Sequence, residues 1–561
     1  MTSKTIWRAV AEALEAEGVE YVFGLPGNPK HLIYDLTERT NIKFVLVRDE
    51  SSAVACAYAY ARLARRPGVV FSNPGPGITN LVTGLLEATS GSLPVIAISN
   101  GVVLAHDGRG AFQELDSVAL MRPVTKWATR IVDPATTTWT LERAFARATN
   151  GRPGPIYIEV PSDLADRAVE MPAYRPAMPR HRTRPSEEAL EAAGSLLAKA
   201  RRPLLLCGSG AVWSGAASEV RRLADTLGAP VFTTPGGRGI ICEDDPLALG
   251  QVGLYFTALG KRYYDEADLI LSIGSRLEAF STNSWAHWPE GARFIQVDID
   301  PEAIGLNWRP DVGLVGDARL ALAELGRALP LLDGDARRER LDRLATMKRR
   351  FLEETGAEAV RKESPIRVPY VLAAVNKVFG RDTILCKENG GADLWCYYWP
   401  WYRVLDIDSC VPMAEQTAMG MGVVGTIGAK LARPDRKIVC ITGDGAMNMA
   451  MMELATAAEL KCGVTWVVLN NRALGWVQYN QLLNNKPFVA TQFEVAADFV
   501  RIAEAQGCRG FRAVASDEVE PALEASLAAN ASGIPALVDV SIRKHDYPQH
   551  FQDIHKARLD H

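Results

Sequence analysis

An acid at the end of one apolar run and a carboxamide pair at the end of the next are the residues of this chain best suited to chemistry. Asp444 lies in Gly443-Asp444-Gly445, after the apolar run Lys437 to Thr442, and Asn470-Asn471 follow the run Val464 to Leu469. Ala446 to Leu460 reads as an apolar helix between them, so the stretch is a strand–helix–strand unit. In a parallel sheet both polar groups then fall on one edge, the edge at which such sheets bind ligands. Asp444 offers a hard anionic oxygen, Asn471 a neutral amide oxygen, and the backbone carbonyl of Ala473 a third. That set suits Mg²⁺ or Ca²⁺ that also holds a phosphate. The helix after Gly445 turns its free N–H groups and positive dipole end to the same place.

The joint spacing of Gly-Asp-Gly and Asn-Asn, with a helix and a strand between, resembles the signature of thiamine diphosphate (ThDP) enzymes. In that family the Asp and the second Asn ligate the metal that anchors the diphosphate. The resemblance implies ThDP and Mg²⁺ as cofactors. It makes Asp444, Asn471 and Ala473 metal ligands and sets Gly443, Gly445, Ala446 and Gly475 around the cofactor. Three early pieces, GLPGNPKHLIYDL from Gly24, SNPGPGITNLVTGLLEA from Ser72 and AFQELDSVALMRPVTKWA from Ala111, resemble the pyrimidine-binding domain of the acetolactate synthase group. GRPGPIYIEVPSDL from Gly151 matches that domain's closing strand. By this resemblance Pro26, Gly27, Asn28, Asn73 and Asn80 border the cofactor. Gln113 and Phe112 would act at its substrate end, with Lys126 farther out, although Lys126-Trp127 reads equally well as an amphipathic surface pair.

Glu50 opens an Ala-rich stretch after the run Phe44 to Val47, and alone it reads as a helix-start acid favoured by the dipole. Beside the ThDP signature, the resemblance gives it a role. It contacts N1′ of the cofactor's aminopyrimidine and shares a proton there, so that the 4′-nitrogen can deprotonate thiazolium C2. Met419-Gly420 fall where the family keeps a bulky apolar side chain under the bent cofactor. After Asn471, the segment LGWVQYNQLLNN predicts a helix, with Trp476, Val477 and Asn480 facing the substrate alongside Asn28 and Gln113.

The elements that must position these groups follow from the rest of the 561 residues, too many for one core. Strand and helix signals alternate throughout, with strands at Val19–Phe23, Phe44–Val47, Val69–Ser72 and Val95–Ser99. They continue at Pro203–Cys207, Pro230–Thr233, Leu269–Ile273, Phe294–Asp298 and Ile384–Cys386. The expected fold is α/β: three doubly wound parallel-sheet domains of the ThDP-enzyme type. These are a pyrimidine-binding domain (1–170), a central domain (186–335) and a diphosphate-binding domain (365–545), with a tail at 546–561. Met171 to Pro185, with four prolines, reads as an extended linker, and the charge-rich run Asp333 to Glu363 as a solvated helical connector. The aromatic run Tyr397 to Arg403 reads as a packed interface. The terminal position of the His-bearing tail points to a frayed end.

A net charge of −4 with 23% charged residues makes no case for nucleic acid or an acidic membrane surface. The chain shows no signal peptide, no apolar run long enough to span a membrane, and no Cys-x-x-Cys among nine cysteines. A cytoplasmic protein with reduced, buried thiols is expected. Gly208-Ser209-Gly210 is a weak phosphate-loop signal that also suits plain strand-to-helix packing, and it lacks the acidic residue a nicotinamide or flavin oxidoreductase would add. In the resembling family the central domain binds FAD in some members. Here GQVGLYFTALG and SRLEAFSTNSW replace the segments associated with it, so bound FAD is not expected.

The implied activity is a ThDP- and Mg²⁺-dependent carboligase or lyase. It forms an enamine from a pyruvate-like 2-oxo acid and transfers the acyl unit to a carbonyl acceptor, as in the acetolactate synthase group. GDGAMNMAMMEL and NKPFVATQFE, with the altered central domain, also resemble sulfoacetaldehyde acetyltransferase, which uses phosphate to release acetyl phosphate. A non-catalytic ThDP-fold subunit is the third reading, opposed by the intact Glu50, Asp444 and Asn471. Partners are small-molecule substrates and further copies of the chain, as a homodimer or dimer of dimers. By the family's pairing of domains, Glu50 of one subunit meets Asp444 of another.

Overall fold

The computed structural model describes residues 2–27, 32–177, 181–329, 334–548, 551 and 553. Three six-stranded sheets organise them, and every strand pair within each sheet is parallel. The first runs, edge to edge, Lys43–Leu46, Tyr21–Gly24, Gly68–Ser72, Val95–Gly101, Ile156–Pro161, Trp127–Arg130. The third runs Cys410–Val411, Thr383–Lys387, Lys437–Gly443, Thr465–Asn470, Ala536–Ser541, Arg509–Ala513. Counted along the chain, both have the order second, first, third, fourth, sixth, fifth. The winding therefore reverses between their first and third strands, which places the turns after Gly24, Ser72, Lys387 and Gly443 at the ligand-binding crevices of such sheets. The central sheet, from Pro203–Cys207 to Val312–Val315, is ordered third, second, first, fourth, fifth, sixth. No helix among the described residues is long and apolar enough to cross a membrane.

The chain divides into two compact units, one of residues 1–181 with 416–434 and one of 182–415 with 435–561. In the first, the helix Glu50–Ala64 is buried almost end to end because its alanines let other backbones come close. Gly68 abuts the carbonyl of Ala57, Gly84 abuts Val54, and Gly428 abuts the carbonyl of Cys56, so a side chain at any of the three would collide. Gly425 and Gly428 bring the helix Met421–Ala432 onto this helix. For that reason residues 416–434 group with the N-terminal sheet, although the sequence set them with the diphosphate domain.

In the second unit, the central and C-terminal sheets are joined by buried polar bonds. The Arg238 guanidinium pairs bidentately with Glu243 (2.7 and 2.8 Å) and donates to the carbonyls of Cys396 (2.6 Å) and Tyr402 (2.8 Å). Tyr397, Tyr398, Trp399, Trp401 and Tyr402 are all buried in this packed interface. The connector, helix Gly334–Ala359, is not simply a solvated face. Phe351 stacks on Trp399 at 5.7 Å, and the buried Lys348 ammonium donates to the carbonyls of Asp245 and Ala248, its pKa lowered by burial to about 8. The described tail is not frayed either. Phe551 is fully buried among Tyr255, Trp476 and Tyr479, and Tyr547 donates to the carbonyl of Gly475 (3.1 Å), because two aromatic side chains outweigh a terminal position. His550, His555 and His561 lie outside the described residues.

Removing one partner of a fully buried ion pair strands the other charge, which costs about 3–5 kcal/mol. Arg238→Ala is expected to lower the urea-unfolding midpoint of this unit strongly. The double change Arg238→Ala with Glu243→Leu should recover part of the loss, as measured by tryptophan fluorescence.

Candidate active site

At the C-terminal sheet, the strand Lys437–Gly443 passes directly into a helix at Asp444, with no separate turn. The helix is shorter than its apolar pattern suggests: it runs to Ala450, tightens to a 3₁₀ turn over Met451–Glu453, and resumes at Leu454. Asp444 is 2% exposed. Its Oδ1 accepts from the N–H of Gly445 (2.9 Å) and its Oδ2 from the N–H of Ala473 (3.2 Å), and no basic side chain pairs with it among the described residues. Burial pushes its pKa up to about 6 against the pull of these N–H groups.

Asn471 Oδ1 accepts from the same Ala473 N–H (3.1 Å), and Arg472 between them takes a left-handed conformation (φ 58°). The amide and the carboxylate are therefore brought to one turn. Ala473 is fixed by a bridge to Gln492 and by the Leu474 N–H on the Thr491 carbonyl (2.9 Å). Side chains at Gly390 and Gly443, beyond the two strands that flank the reversal, would meet nothing within 4 Å, so the crevice there is open. These residues fit a hard divalent cation with a diphosphate. A buried, unneutralised carboxylate, an amide oxygen and a carbonyl supply part of an oxygen shell, and phosphate and water would complete it. Among the described residues no cluster of three His, Cys, Asp or Glu competes as a metal centre.

The sequence reading missed Asp539 here. It accepts from Asn470 Nδ2 (2.9 Å) and faces Arg512 (3.6 Å), so it holds the carboxamide turn from the neighbouring strand. An acid inside the apolar run Ala536–Ser541 was the available signal. It also missed Lys387 and Glu388, both fully buried where the first strand ends. The Lys387 ammonium lies 3.5 Å from the centre of the Tyr397 ring, and burial drives its pKa well down.

The N-terminal sheet carries a second cluster. Glu50 starts its helix, capped by Asp49, which accepts from the Ser51 N–H (2.8 Å). Glu50 is buried, and its Oε2 accepts from Asn80 Nδ2 (3.0 Å), while its Oε1 has no protein donor among the described residues. Oε1 lies 3.1 Å from where a side chain at Gly77 would begin, so glycine is needed beside it. Asn73 Nδ2 donates to the Leu25 carbonyl (3.0 Å), and the amide packs so tightly on Gly27 that no side chain fits there. Asn73 Oδ1 and Ser72 Oγ are buried without partners among the described residues. The turn Leu25–Gly27 thus presents Pro26 and Gly27 against Asn73, while Asn28 lies outside the described residues.

Gln113 has φ 60° and packs on Gly75, whereas its neighbour Phe112 is 87% exposed. Lys126 is engaged structurally: its ammonium donates to the carbonyls of Arg147, Asn150 and Arg152 (2.6–2.8 Å), closing the end of the helix Thr137–Thr149. Met419 is half-buried, and Gly420 after it (φ 89°) begins the helix Met421–Ala432. The buried Glu87, also missed, accepts from the Ala418 N–H (3.3 Å) and steadies that turn.

Of the other expected substrate contacts, Val477 and Asn480 are exposed on one face of the helix Gly475–Leu483. Trp476 turns instead towards Tyr479 and Phe551. In the central domain the N–H groups of Gly208 and Gly210 donate to the carbonyls of Ile273 and Gly274 (2.9 and 3.0 Å), so this turn serves packing. The two segments associated elsewhere with FAD pack on each other, with Gly253 against Phe280 and Ser281, and Leu254 and Tyr255 enter the C-terminal core.

Comparison with known proteins agrees with this arrangement. Residues 4–120 match the N-terminal TPP-binding domain of thiamine pyrophosphate enzymes, 190–325 their central domain, and 391–540 their C-terminal TPP-binding domain. A probable acetolactate synthase large subunit of Methanocaldococcus jannaschii is 33% identical over 552 residues, 95% of this chain and 91% of the relative. The acetolactate synthase large subunit of Corynebacterium glutamicum is 31% identical over 92% of this chain and 84% of its own length. The isozyme 3 large subunit of Escherichia coli is 29% identical over 96% and 95%. With its three parallel-sheet domains, the chain is a thiamine diphosphate-dependent enzyme and belongs to the acetolactate synthase-like thiamine pyrophosphate family.

Proposed function

We propose that the protein is a Mg²⁺-dependent carboligase that takes a pyruvate-like 2-oxo acid as donor, releases CO₂ and joins the remaining acyl unit to a carbonyl acceptor. The observation that carries this reading is the Glu50 carboxyl group, buried, with Oε2 tied to Asn80 and Oε1 without a protein donor among the described residues. When bound, ThDP supplies a nucleophilic carbon that adds to the donor carbonyl and holds the electron pair left by CO₂. Glu50 would hold and return a proton at Oε1, with Asn80 fixing the carboxyl plane so that the proton always meets the same atom. Asp444, Asn471 and the Ala473 carbonyl would hold Mg²⁺ and, through it, the diphosphate. Asn73 Oδ1, buried and unpaired, would accept from the aminopyrimidine end. Gln113 and Phe112 would border the donor and acceptor, and Met419 would support the bent cofactor. The altered central segments support an enzyme without FAD. Nine cysteines outside any disulfide, eight of them buried, support a reducing cytoplasm. A homodimer or dimer of dimers with shared active sites is the assembly we infer, on the family resemblance.

The sulfoacetaldehyde acetyltransferase reading remains as a second, on the likeness of GDGAMNMAMMEL and NKPFVATQFE. Incubation with pyruvate, ThDP and Mg²⁺ is expected to yield CO₂ and a branched 2-hydroxy-3-oxo acid by mass spectrometry. Acetyl phosphate from sulfoacetaldehyde and phosphate, with pyruvate inert, would replace the first reading by the second. Glu50→Gln is expected to lower kcat by roughly 10²–10⁴-fold while the Kd for ThDP stays within a few-fold; retained turnover would remove Glu50 from the mechanism. The purified protein is expected to show no flavin band in the visible. A yellow protein would assign the buried, unpaired amides of Gln251 and Asn283 to a flavin edge.

A further inference from the structure

Glu159 is a buried acid that the reaction does not use. It lies near the end of the strand Ile156–Pro161, in register with Ser99 on one side and Arg130 on the other. Its Oε2 accepts from Ser117 Oγ, and its Oε1 pairs with Arg130 Nε (3.1 Å). The Arg130 guanidinium reaches on to Asp107 (2.6 Å). Gly101 abuts the Glu159 carboxylate so closely that no side chain fits there. The loop 102–116 runs between these contacts: Gly101 and Ser117 flank its two ends, and Arg130 reaches into it at Asp107. Arg130 holds its first half at Asp107, Glu159 holds Ser117 just past its end, and Asp163 accepts from the Leu104 N–H (3.1 Å) near its start. Inside the loop, Glu114 accepts from the N–H groups of Gly108 (2.6 Å) and Ala111 (2.7 Å), and the next residue back is Gln113, in its left-handed conformation.

We propose that Glu159, Arg130 and Asp107 form a clasp that sets the height of the Phe112–Gln113 loop and so governs substrate affinity. Arg130 and Glu159 are its positioning residues. The proposal rests on the reading that Phe112 and Gln113 border the substrate. A buried ion pair contributes little net stability compared with apolar residues of the same volume, and such pairs serve best to hold one arrangement against others. Here that arrangement includes an exposed phenylalanine and a left-handed glutamine, neither of which the loop would favour if released.

Asp107→Asn and Arg130→Met, with Arg130→Lys as the conservative variant, test this in the full-length enzyme saturated with ThDP and Mg²⁺. The Asp107 variant leaves the buried Arg130–Glu159 pair intact, so it reads the clasp even if Arg130→Met folds poorly. Both are expected to raise the KM for the 2-oxo acid roughly tenfold to a hundredfold, with kcat and the ThDP Kd within about twofold of wild type, and Arg130→Lys to restore part of the KM. Hydrogen exchange over residues 108–114 should accelerate in the same variants without substrate, a readout independent of which substrate is turned over. Unchanged exchange in Asp107→Asn would overturn the clasp. Faster exchange with an unchanged KM would leave the loop pinned but deny it the substrate, which counts against the placement of Phe112 and Gln113 rather than against the enzyme's thiamine chemistry.

Discussion

A carboxylate buried on backbone donors, with no basic side chain paired to it among the described residues, is the constraint on which the C-terminal sheet depends. Taking an ionised acid out of water costs several kcal/mol, and two backbone N–H groups offset only part of it. Asp444 shows the balance in its raised pKa. The remaining deficit is what the proposed divalent cation would relieve, so the cost of burial would become selectivity for a charged guest. The surroundings are arranged to keep that deficit from being relieved internally. The charge that acts on it is that of another acid, Asp539, and the donors at hand are backbone groups that cannot swing away.

The N-terminal sheet solves a related problem by packing. Glu50 also lies at a helix start beyond a parallel strand, but there the carboxyl group is kept in place by a side-chain amide and a close glycine. The Glu50 helix, with alanine at every second or third position, is met by Gly68 and Gly425 at Ala57 and Ala59, by Gly84 at Val54 and by Gly428 at Cys56, which fixes it to within the tolerance of close contact. Interiors packed at crystal-like density transmit such constraints with little slack. The same topology thus gives two arrangements: one sheet edge holds a buried carboxylate on backbone donors, the other holds one on a side-chain amide.

The sequence made the strand ends legible because polar residues there interrupt apolar runs, and both Asp444 and Glu50 stand at such interruptions. Strands Pro203–Cys207 and Leu269–Ile273 were readable to the residue for the same reason. The edge strand Trp127–Arg130 was not, since all four of its residues are half-buried and give no alternation. Glu87 and Glu159 were invisible in another way: each is an ordinary charged residue whose partners lie tens to hundreds of residues away, so only the fold pairs them. Lys126 shows the converse, since a lysine beside a tryptophan looked functional and in fact closes a helix end.

The substrate side differs from the anchoring side in where its order comes from. Asp444 opens a helix, and Asn471 and Ala473 are fixed by backbone N–H groups in the turn after a strand, whereas Phe112 and Gln113 sit in the irregular stretch 107–116. A loop of that kind is costly to order at the moment of binding, because each immobilised side chain and backbone unit subtracts from affinity. Charged side chains that reach from the sheet into the loop remove that cost beforehand. They can do so only where the acid is buried enough to hold its partner firmly, and Glu159, enclosed between Ser99 and Arg130 at the foot of the loop, meets that condition. In the proposed clasp, the charge inside the N-terminal sheet would belong to substrate recognition as much as the exposed loop would.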